Sequence, residues 1–405
     1  MTDERKTILL LGGSQAQIVA IDKARELGYR TVLCDYLPDN PGQHHADVFY
    51  LVSTIDKEAV LDVARKEHID GVLAYASEPA SPTAAYVAKE LGLPSNPLEA
   101  VEAMGSKRLF REHMRSHGIP CPGSVGITAG QSVEEVKSLI TGLHCPLVVK
   151  PTDSSGSRGV SVLEDDRNLG HALEYAASFS RSGQLIIEEY IVAGFPHVIG
   201  GDIFVYDGEV QFWGLMSCLR DKKSSLVPCG EMAPTGLEGK TLEKTKNVIS
   251  QLVESLCLRF GELNIEIIIS EDNTPYIIEL ASRAGGNMIP IELSDISGID
   301  LIAANVLCAM GENPGDLRYD TSLASPHATY VLHSDTDGIF DGLEYSSLTT
   351  GTLYRECLYV KKGDQVERFT GAERALGILF YRFDSEEEMQ SFSEHHDNHV
   401  GVRVV

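Results

Sequence analysis

Apolar and polar positions follow two different periods along the first part of the chain. A short apolar run at residues 7–11 ends in two glycines, and apolar residues at helical spacing follow it. The strand-like segments TVLCD and IDGVLAY flank a second helical pattern, EAVLDVARKEH. Because helix-length connections between buried strands are typical of parallel sheets, residues 1–95 are predicted to form a doubly wound α/β domain.

The pattern changes after residue 95, where LGLPSNP interrupts the alternation. A long helical pattern, LEAVEAMGSKRLFREHMRSHG, comes first, and short strands mixed with helices follow, which is typical of an α+β arrangement. Another helix is predicted over KTLEKTKNVISQLVESLCLRFG. Residues 96–320 are therefore predicted as a second domain. The remaining residues, 321–405, are predicted as a strand-rich C-terminal subdomain.

Composition narrows the class of protein. The chain has 405 residues, 43% of them hydrophobic and 23% charged, which is ordinary for a globular protein. The formal net charge of −25 disfavours nucleic acid and anionic membranes as partners. No apolar stretch approaches the ~20 residues of a spanning helix. The N-terminus does not resemble a secretory signal, and the eight cysteines occur singly, so we expect a cytoplasmic protein with reduced thiols.

Two acidic residues on neighbouring predicted strands form the first candidate site. The segment NIEIIISEDNTPYIIEL contains two β-branched runs joined by the turn signal EDNT. If Ile269 pairs with Tyr276, Glu266 falls opposite Glu279, where two carboxylates repel each other unless a cation lies between them. Carboxylates of this kind hold Mg²⁺ at phosphates, although two solvated glutamates on an exposed hairpin would explain the same pattern.

A loop of small residues forms the second candidate site. The sequence KPTDSSGSRGV follows the apolar run PLVV and begins with Lys150. Small residues allow backbone N–H groups to approach phosphate oxygens, and the lysine ammonium can bind the same anions. The spacing is not that of GxxxxGK[ST]. The loop is therefore predicted to be a lid over phosphates, and a flexible surface loop is the alternative.

Two further signals gain weight only in combination. The strand LIIEEYI ends in acids that could meet an adenine amino group, and Lys107 lies in the helical segment AMGSKRLF. The ordered set of features resembles the ATP-grasp superfamily, particularly the branch of biotin carboxylase, carbamoyl phosphate synthetase and the purine-pathway carboxylate–amine ligases. The resemblance covers nearly the whole chain, and MGSKRLFREHMRSHGIPCPG, PLVVKPTDSSGSRGV and NIEIIISEDNTPYIIELASRAGG carry most of it. It implies an ATP-grasp fold with an N-terminal parallel-sheet domain, a mobile lid subdomain at about 121–190 within residues 96–320, and a C-terminal β-rich subdomain.

The resemblance also implies roles for individual residues. Lys150 and Arg283 would be catalytic, Glu188 would bind the adenine amino group, and His197 would contact the ribose. The full set expected to bind ATP is Lys107, Lys150, Ser154, Ser155, Gly156, Ser157, Arg158, Gly159, Glu188, Glu189, Ile191 and His197, with Glu189 and Ile191 acting through the backbone. Glu266 and Glu279 would hold Mg²⁺ or Mn²⁺. Candidate substrate contacts are Ser14, Glu78, Arg283, Gly285 and Gly286.

One position departs from the family pattern. Members usually carry an asparagine two residues after the second glutamate, and Ala281 stands there in this chain. A second metal ion would then be held less tightly, or water or Asn264, opposite Ala281 in the assumed register, would take over. The departure leaves the expected nucleotide site intact.

The reaction implied by the resemblance joins a small carboxylate to an amine through an acyl phosphate, with ATP converted to ADP. Small metabolites or amino acids are the expected substrates, and residues 221–236 are expected to form a loop that folds over them. A purine-biosynthesis or carbamoyl-phosphate-type enzyme and a non-catalytic ATP-binding relative are the alternatives. A dehydrogenase is disfavoured because LLGGSQAQ lacks the GxGxxG spacing. A homodimer is expected by analogy with relatives.

Overall fold

The computed structural model describes residues 4–154, 158–220, 227–346, 351–371, 374–395 and 399–405. Within these residues the chain is a mixed α/β protein built around four β-sheets. No helix in the described part is long and apolar enough to cross a membrane. All eight cysteines are described and all are free thiols, which agrees with the expectation from their spacing.

The N-terminal part is a four-stranded parallel sheet covered on both faces, as predicted. Its strands are β1 (Thr7–Leu11), β2 (Arg30–Asp35), β3 (Val48–Leu51) and β4 (Gly71–Leu73), and its helices are α1 (Ile18–Glu26), α2 (Lys57–Glu67) and α3 (Ser81–Leu91). The strand order is β3-β2-β1-β4. Alternate residues of β1 point to opposite faces, so Leu9 packs with α2 and α3 while Ile8 packs with α1.

A short helical connection leads to the second sheet. The connection consists of α4 (Leu98–Met104) and α5 (Lys107–Ser116). The sheet contains β5 (Ser124–Thr128), β6 (Leu147–Pro151), β7 (Ser161–Leu163) and β8 (Gln184–Glu189), with the helices α6 (Val133–Leu139) and α7 (Leu169–Phe179) packed on it. Its order is β5-β8-β6-β7, and all pairs are antiparallel. This sheet corresponds to the predicted lid subdomain.

The third and largest sheet has nine strands. Its elements up to residue 320 are β9 (Val198–Tyr206), β10 (Glu209–Arg220), β11 (Pro228–Ala233), α8 (Gly239–Ser255), β12 (Phe260–Ile269), β13 (Pro275–Ala281), α9 (Ile289–Ser297), α10 (Leu301–Ala309) and β14 (Tyr319–Asp320). One face packs against α5 and α8, and the other packs against α9 and α10. Because α10 also packs on β1, this helix holds the N-terminal sheet against the large sheet.

The C-terminal residues extend the large sheet and add a small one. Their elements are β15 (His327–Leu332), β16 (Gly338–Tyr345), β17 (Thr352–Leu358), β18 (Gln365–Val366), β19 (Gly377–Arg382), α11 (Glu386–His395) and β20 (Val400–Val404). The main path of the large sheet is β13-β12-β9-β10-β11-β15-β19-β17, and β18-β16-β20 form the small sheet. The large sheet therefore runs across residue 320, and a domain boundary there stays a prediction.

Three local predictions were wrong. The helix predicted over 98–118 is two helices, because Ser106 is extended (φ −123°, ψ 109°) and ends the first helical run. The helix predicted to reach residue 261 ends at Ser255, since Cys257 takes a positive φ of 53°. The segment 221–236 was predicted as a loop, but its residues 228–233 form the buried strand β11, while 221–226 lie outside the described residues.

Candidate active site

The pair of carboxylates expected on the acidic hairpin is present. Glu266 on β12 lies directly opposite Glu279 on β13, as predicted. The assumed pairing of Ile269 with Tyr276 was wrong, because Tyr276 lies opposite Ile268 and the register shifts by one residue before Glu266. A cation is near each of them: Arg220 Nη2 lies 3.4 Å from Glu266 Oε1, and Lys107 Nζ lies 3.9 Å from Glu279 Oε2. The two side chains are 34% and 25% exposed. Two acids and two cations therefore lie together in one partly exposed cluster.

The electrostatics of this pair suit a divalent cation. The pKa of Glu266 is raised, first because its carboxylate lies among protein atoms, and Glu279 adds a repulsion that Arg220 and Lys107 oppose. Carboxylate oxygens are the ligands that Mg²⁺ prefers. Among the described residues, no group of three or more His, Cys, Asp or Glu side chains could hold a metal ion. An ion between the glutamates would therefore need phosphate oxygens and water as its other ligands.

The register near Ala281 was also predicted correctly, but the side chain opposite it is engaged. Asn264 lies opposite Ala281. Its Nδ2 donates to Gly201 O at 3.0 Å and to Asp202 Oδ1 at 2.8 Å. The amide nitrogen of Asn264 is thus committed to the sheet, and only its oxygen is left for the metal role that the sequence suggested.

Lys107 is positioned by the break between α4 and α5. It is the first residue of α5. Its Nζ donates to Ser154 O at 2.8 Å, and its backbone N–H donates to Thr152 O at 3.3 Å. With Glu279 on its other side, this ammonium lies between the beginning of the predicted lid and the carboxylate pair.

The predicted lid is described at its two ends. Ser155, Gly156 and Ser157 lie outside the described residues. Arg158 is exposed, and Gly159 is buried with a φ of 76°. A Cβ on Gly159 would lie 3.0 Å from Phe179 Cβ and 3.1 Å from Pro151 Cδ. Both the backbone conformation and the packing therefore require glycine at this position.

Lys150 is part of a buried ionic cluster. It lies on β6 and its Nζ is 2.5 Å from Oε2 of Glu188 on β8. The other oxygen of Glu188, Oε1, accepts from Nε of Arg111 at 2.8 Å. The exposed fractions of Lys150, Glu188 and Arg111 are 7%, 3% and 0%. We call these three residues the ion triad.

The charges of the triad depend on one another. Burial alone would raise the pKa of Glu188, but Lys150 and Arg111 hold it at about 2. Burial lowers the pKa of Lys150, and repulsion from Arg111 and Lys107 adds to this effect, whereas Glu188 opposes it. Because both oxygens of Glu188 already accept from cations, a contact of this carboxylate with adenine would have to compete with them.

Two residues near the end of β8, Glu189 and Ile191, were predicted to contact adenine through the backbone, and they differ in their hydrogen bonds. The N–H of Glu189 donates to Gly123 O at 2.9 Å, and its carboxylate accepts from the backbone and ring of His144. The backbone groups of Ile191 make no hydrogen bond within the described residues. His197 is half-buried just before β9, and burial lowers its pKa, which favours the neutral ring. Of the predicted backbone contacts, Ile191 is thus the one whose N–H is available.

The substrate residues predicted on both sides of the domain junction are brought together in part. Arg283 Nη2 lies 3.5 Å from Glu78 Oε2, and its Nη1 donates to Ala284 O at 3.1 Å. The pKa of Glu78 is raised by burial and by the nearby Glu279, while Arg283 opposes this shift. Glu78 is therefore close enough to Glu279 for the two carboxylates to repel each other.

Ser14, Gly285 and Gly286 have more local contacts. Ser14 is exposed, and its backbone N–H donates to Oε1 of Gln17 in the same turn. The N–H of Gly285 donates to Asp202 Oδ2 at 2.7 Å, and a Cβ there would lie 2.7 Å from Asp202 Oδ1. A Cβ on Gly286 would meet open space. Gly285 is therefore required by packing, whereas no packing contact requires a glycine at position 286.

Residues 104–287 match the family described as the ATP-grasp domain. The chain carries an ATP-grasp domain. This region contains the carboxylate pair, the ion triad, Lys107 and Arg283, so every residue predicted to bind nucleotide or metal lies inside the match.

Similar proteins cover most of the chain at low identity. An uncharacterised protein, y4rH, of Sinorhizobium fredii is 25% identical over 292 residues, which are 71% of this chain and 58% of that protein. The crystal structure of an L-amino acid ligase from Bacillus licheniformis matches with a TM-score of 0.79 and 19% identity over 100% of both chains. The biotin carboxylase domain dimer of Hydrogenobacter thermophilus 2-oxoglutarate carboxylase, in complex with MgADP, ADP and bicarbonate, matches with a TM-score of 0.77 and 18% identity over 100% of this chain and 92% of that one. These structures share the ATP-grasp fold.

Several buried polar residues of the ATP-grasp domain were missed by the sequence analysis. Arg111 looked like one more arginine on an amphipathic helix. Asp202 and Glu262 are buried acids with raised pKa values, and Asn305 donates to Glu262 at 2.5 Å. Burial also raises the pKa of Glu231, on β11, to about 8. The only available signal was an acid or arginine at a position where the apolar period predicts burial.

Proposed function

We propose that the chain is an Mg-ATP-dependent ligase that joins a carboxylate to an amine and forms ADP. The observation that carries this proposal is the convergence of Lys107, Glu266 and Glu279 in one partly exposed cluster beside Ser154, where the predicted lid begins. Cations for phosphate and paired carboxylates for a divalent ion are the parts that phosphoryl transfer requires. The ATP-grasp domain and the MgADP bound by a protein of the same fold support the assignment.

In the proposed reaction the chain mainly positions and neutralises charge. A magnesium ion would be held by Glu266 and Glu279, and when bound it neutralises charge on the phosphates. Lys107 and Lys150 would place ammonium groups on phosphate oxygens. A substrate carboxylate would take the phosphoryl group of ATP, and an amine would then displace phosphate from the acyl phosphate. The planar guanidinium of Arg283 would bind the oxyanion that develops in these steps.

The acyl phosphate of this proposal must be protected from water. The loop 154–160, whose beginning is bound by Lys107, would close over it. The acceptor would approach from the N-terminal sheet, because Glu78 contacts Arg283 across the junction. Closure of the loop and this contact together would shield both reacting groups from solvent.

The substrate class is proposed to be an amino acid or another small metabolite. The match to an L-amino acid ligase motivates this choice, and the purine-biosynthesis and carbamoyl-phosphate enzymes stay the alternatives. That similarity is 19% in identity, so it shows the fold and only motivates the substrate choice. A homodimer and a cytoplasmic location are proposed on the same basis as in the sequence analysis.

A screen of amino acids and metabolic carboxylates for ADP formation tests the proposal. We expect ADP and phosphate, without AMP, only when both a carboxylate and an amine are present. Hydroxylamine added in place of the amine should trap the acyl phosphate as a hydroxamate. Formation of AMP, or ADP release that no acid–amine pair stimulates, would refute the proposed reaction.

A further inference from the structure

Arg111 has a fully buried guanidinium, and each of its three nitrogens donates to a group at the edge of the proposed site. It lies in the second turn of α5 and is 0% exposed. Its Nε binds Glu188 Oε1 at 2.8 Å, its Nη2 donates to Ile278 O at 2.9 Å, and its Nη1 donates to Ile277 O at 3.4 Å. Burying a charge is costly unless such partners compensate it, so these contacts fix the side chain in one orientation.

The two carbonyl partners of Arg111 lie at an irregularity in the hairpin. Glu279 pairs with Glu266, and Ile277 pairs with Ile267, so Ile278 has no partner on β12. A residue inserted in this way is a β-bulge, which bends the strand and changes the direction of the next side chain. The burial pattern agrees, because Ile278 and Glu279 are consecutive and both partly exposed, whereas Ile277 and Leu280 on either side are buried.

The bulge determines whether the two glutamates face each other. Near the turn, Tyr276 lies opposite Ile268. Continuing that register without a bulge would place Ile278 opposite Glu266. Glu279 would then be opposite a neighbour of Glu266 and on the other face of the sheet, because side chains alternate along a strand. The extra residue places Glu279 on the face of the sheet that carries Glu266, and Arg111 binds the carbonyl of that extra residue.

The other end of Arg111 reaches the lid subdomain. Glu188 lies on β8, next to β6, and binds Lys150 with its second oxygen. One guanidinium thus contacts the hairpin that carries Glu279 and, through one carboxylate, the ammonium of Lys150.

We propose that Arg111 is a positioning residue that sets Glu279 for the metal ion through the bulge at Ile278 and sets Lys150 for the phosphates through Glu188. The proposal rests on the proposed function, since it assigns a task within that site. Arg111 itself touches neither metal nor nucleotide. Its effect on the hairpin and its effect on the lid run through different contacts and can be separated by substitution.

Binding of Mn²⁺ in the presence of ADP, followed by electron paramagnetic resonance, tests the hairpin arm without any turnover. Arg111→Lys keeps a positive charge beside Glu188 but cannot reach both carbonyls, so we expect Mn²⁺ affinity to fall about tenfold, as for residues that orient metal ligands. Glu188→Gln leaves the Arg111–Ile278 contact in place. It should weaken ADP binding measured without metal, while Mn²⁺ affinity at saturating ADP changes less than about twofold.

Arg108→Lys, on the exposed side of the same helix, is the matched control and should behave as the wild type. Arg111→Lys that binds Mn²⁺ like the wild type would overturn the proposal, and so would Glu188→Gln that loses as much Mn²⁺ affinity as Arg111→Lys. If neither Arg111→Lys nor Arg111→Gln folds by circular dichroism, Arg111 is a stability element and the proposal is also overturned.

Wild-type turnover separates this inference from the proposed function. A wild type that binds Mn²⁺ and ADP but ligates no acid to any amine would reject the function and leave the binding comparison valid. An active wild type with an equally active Arg111→Lys and unchanged Mg²⁺ dependence would reject the inference and leave the function in place.

Discussion

The ion triad and the carboxylate pair handle charge in opposite ways. In the triad, Glu188 is 3% exposed and binds two cations at 2.5 and 2.8 Å. In the pair, Glu266 and Glu279 are partly exposed, and their nearest cations lie at 3.4 and 3.9 Å. Both oxygens of the Glu188 carboxylate are thus engaged by close cations, whereas Glu266 and Glu279 each have one cation at a longer distance. Such a difference is expected where one carboxylate holds neighbouring cations in place and the other two await a metal ion.

The largest expected effect comes from removing the triad's lysine. Lys150→Ala deletes a cation proposed to bind phosphate and leaves Glu188 with Arg111 alone. We expect turnover to fall below detection because nucleotide binding is lost, as measured by calorimetric titration with ADP. Lys240→Ala, on the exposed start of α8, is the control. A Lys150→Ala protein with normal ADP affinity would show that the triad has no part in nucleotide binding.

Removing one glutamate of the carboxylate pair should abolish turnover as Lys150→Ala does, but it should affect metal binding rather than ADP binding. Glu279→Ala is expected to abolish turnover because it removes half of the proposed metal site. ADP binding measured without a divalent ion should be retained, and its enhancement by Mg²⁺ should disappear. Glu271→Ala, in the exposed turn of the same hairpin, should leave both unchanged. Full activity of Glu279→Ala would refute the site.

Metal binding by the carboxylate pair should depend on pH more strongly than nucleotide binding near the ion triad. The pKa of Glu266 is raised, so acidification protonates it earlier than an ordinary glutamate, and a neutral carboxyl is a poor ligand for a divalent ion. We expect Mn²⁺ affinity to decrease as the pH falls through this raised pKa. Glu188, with a pKa of about 2, stays ionised over the same range, so ADP binding without metal should change little. Mn²⁺ affinity that rises on acidification would be inconsistent with this pair.

The smallest expected effect concerns stability at Glu231, a buried acid outside the triad. Burial raises its pKa to about 8 from 4.5, and its Oε2 has no hydrogen-bond partner among the described residues. The folded protein therefore keeps a proton that the unfolded chain loses, and stability declines as the pH rises from about 4.5 through about 8. The slope for one proton is at most about 1.4 kcal/mol per pH unit.

Glu231→Gln removes that titration. Thermal unfolding across this pH range should show a shallower loss of stability in the variant than in the wild type. Glu271→Gln should retain the wild-type slope. Parallel curves for Glu231→Gln and the wild type would mean that Glu231 is ionised in the folded protein.

The same contrast explains what the sequence could predict. The Glu266–Glu279 pairing was predictable because acids interrupt two apolar strands joined by a turn signal. The bulge at Ile278 was not, since a run of isoleucines has no feature that fixes a one-residue insertion. Arg111 was missed because its burial depends on Glu188, 77 positions away. Strand β11 was missed because its residues Pro228–Ala233 gain their burial from neighbouring strands rather than from a local period.

A crystal structure with MgADP would show directly whether the two hairpin glutamates share a divalent ion carried by the nucleotide. We predict an ion that lies about 2.0–2.1 Å from one oxygen of Glu266 and one oxygen of Glu279. Nucleotide phosphate beside Lys107 should be among its other ligands. An ion bound to the phosphates alone, with both glutamates turned away from it, would show that Glu266 and Glu279 are not its ligands.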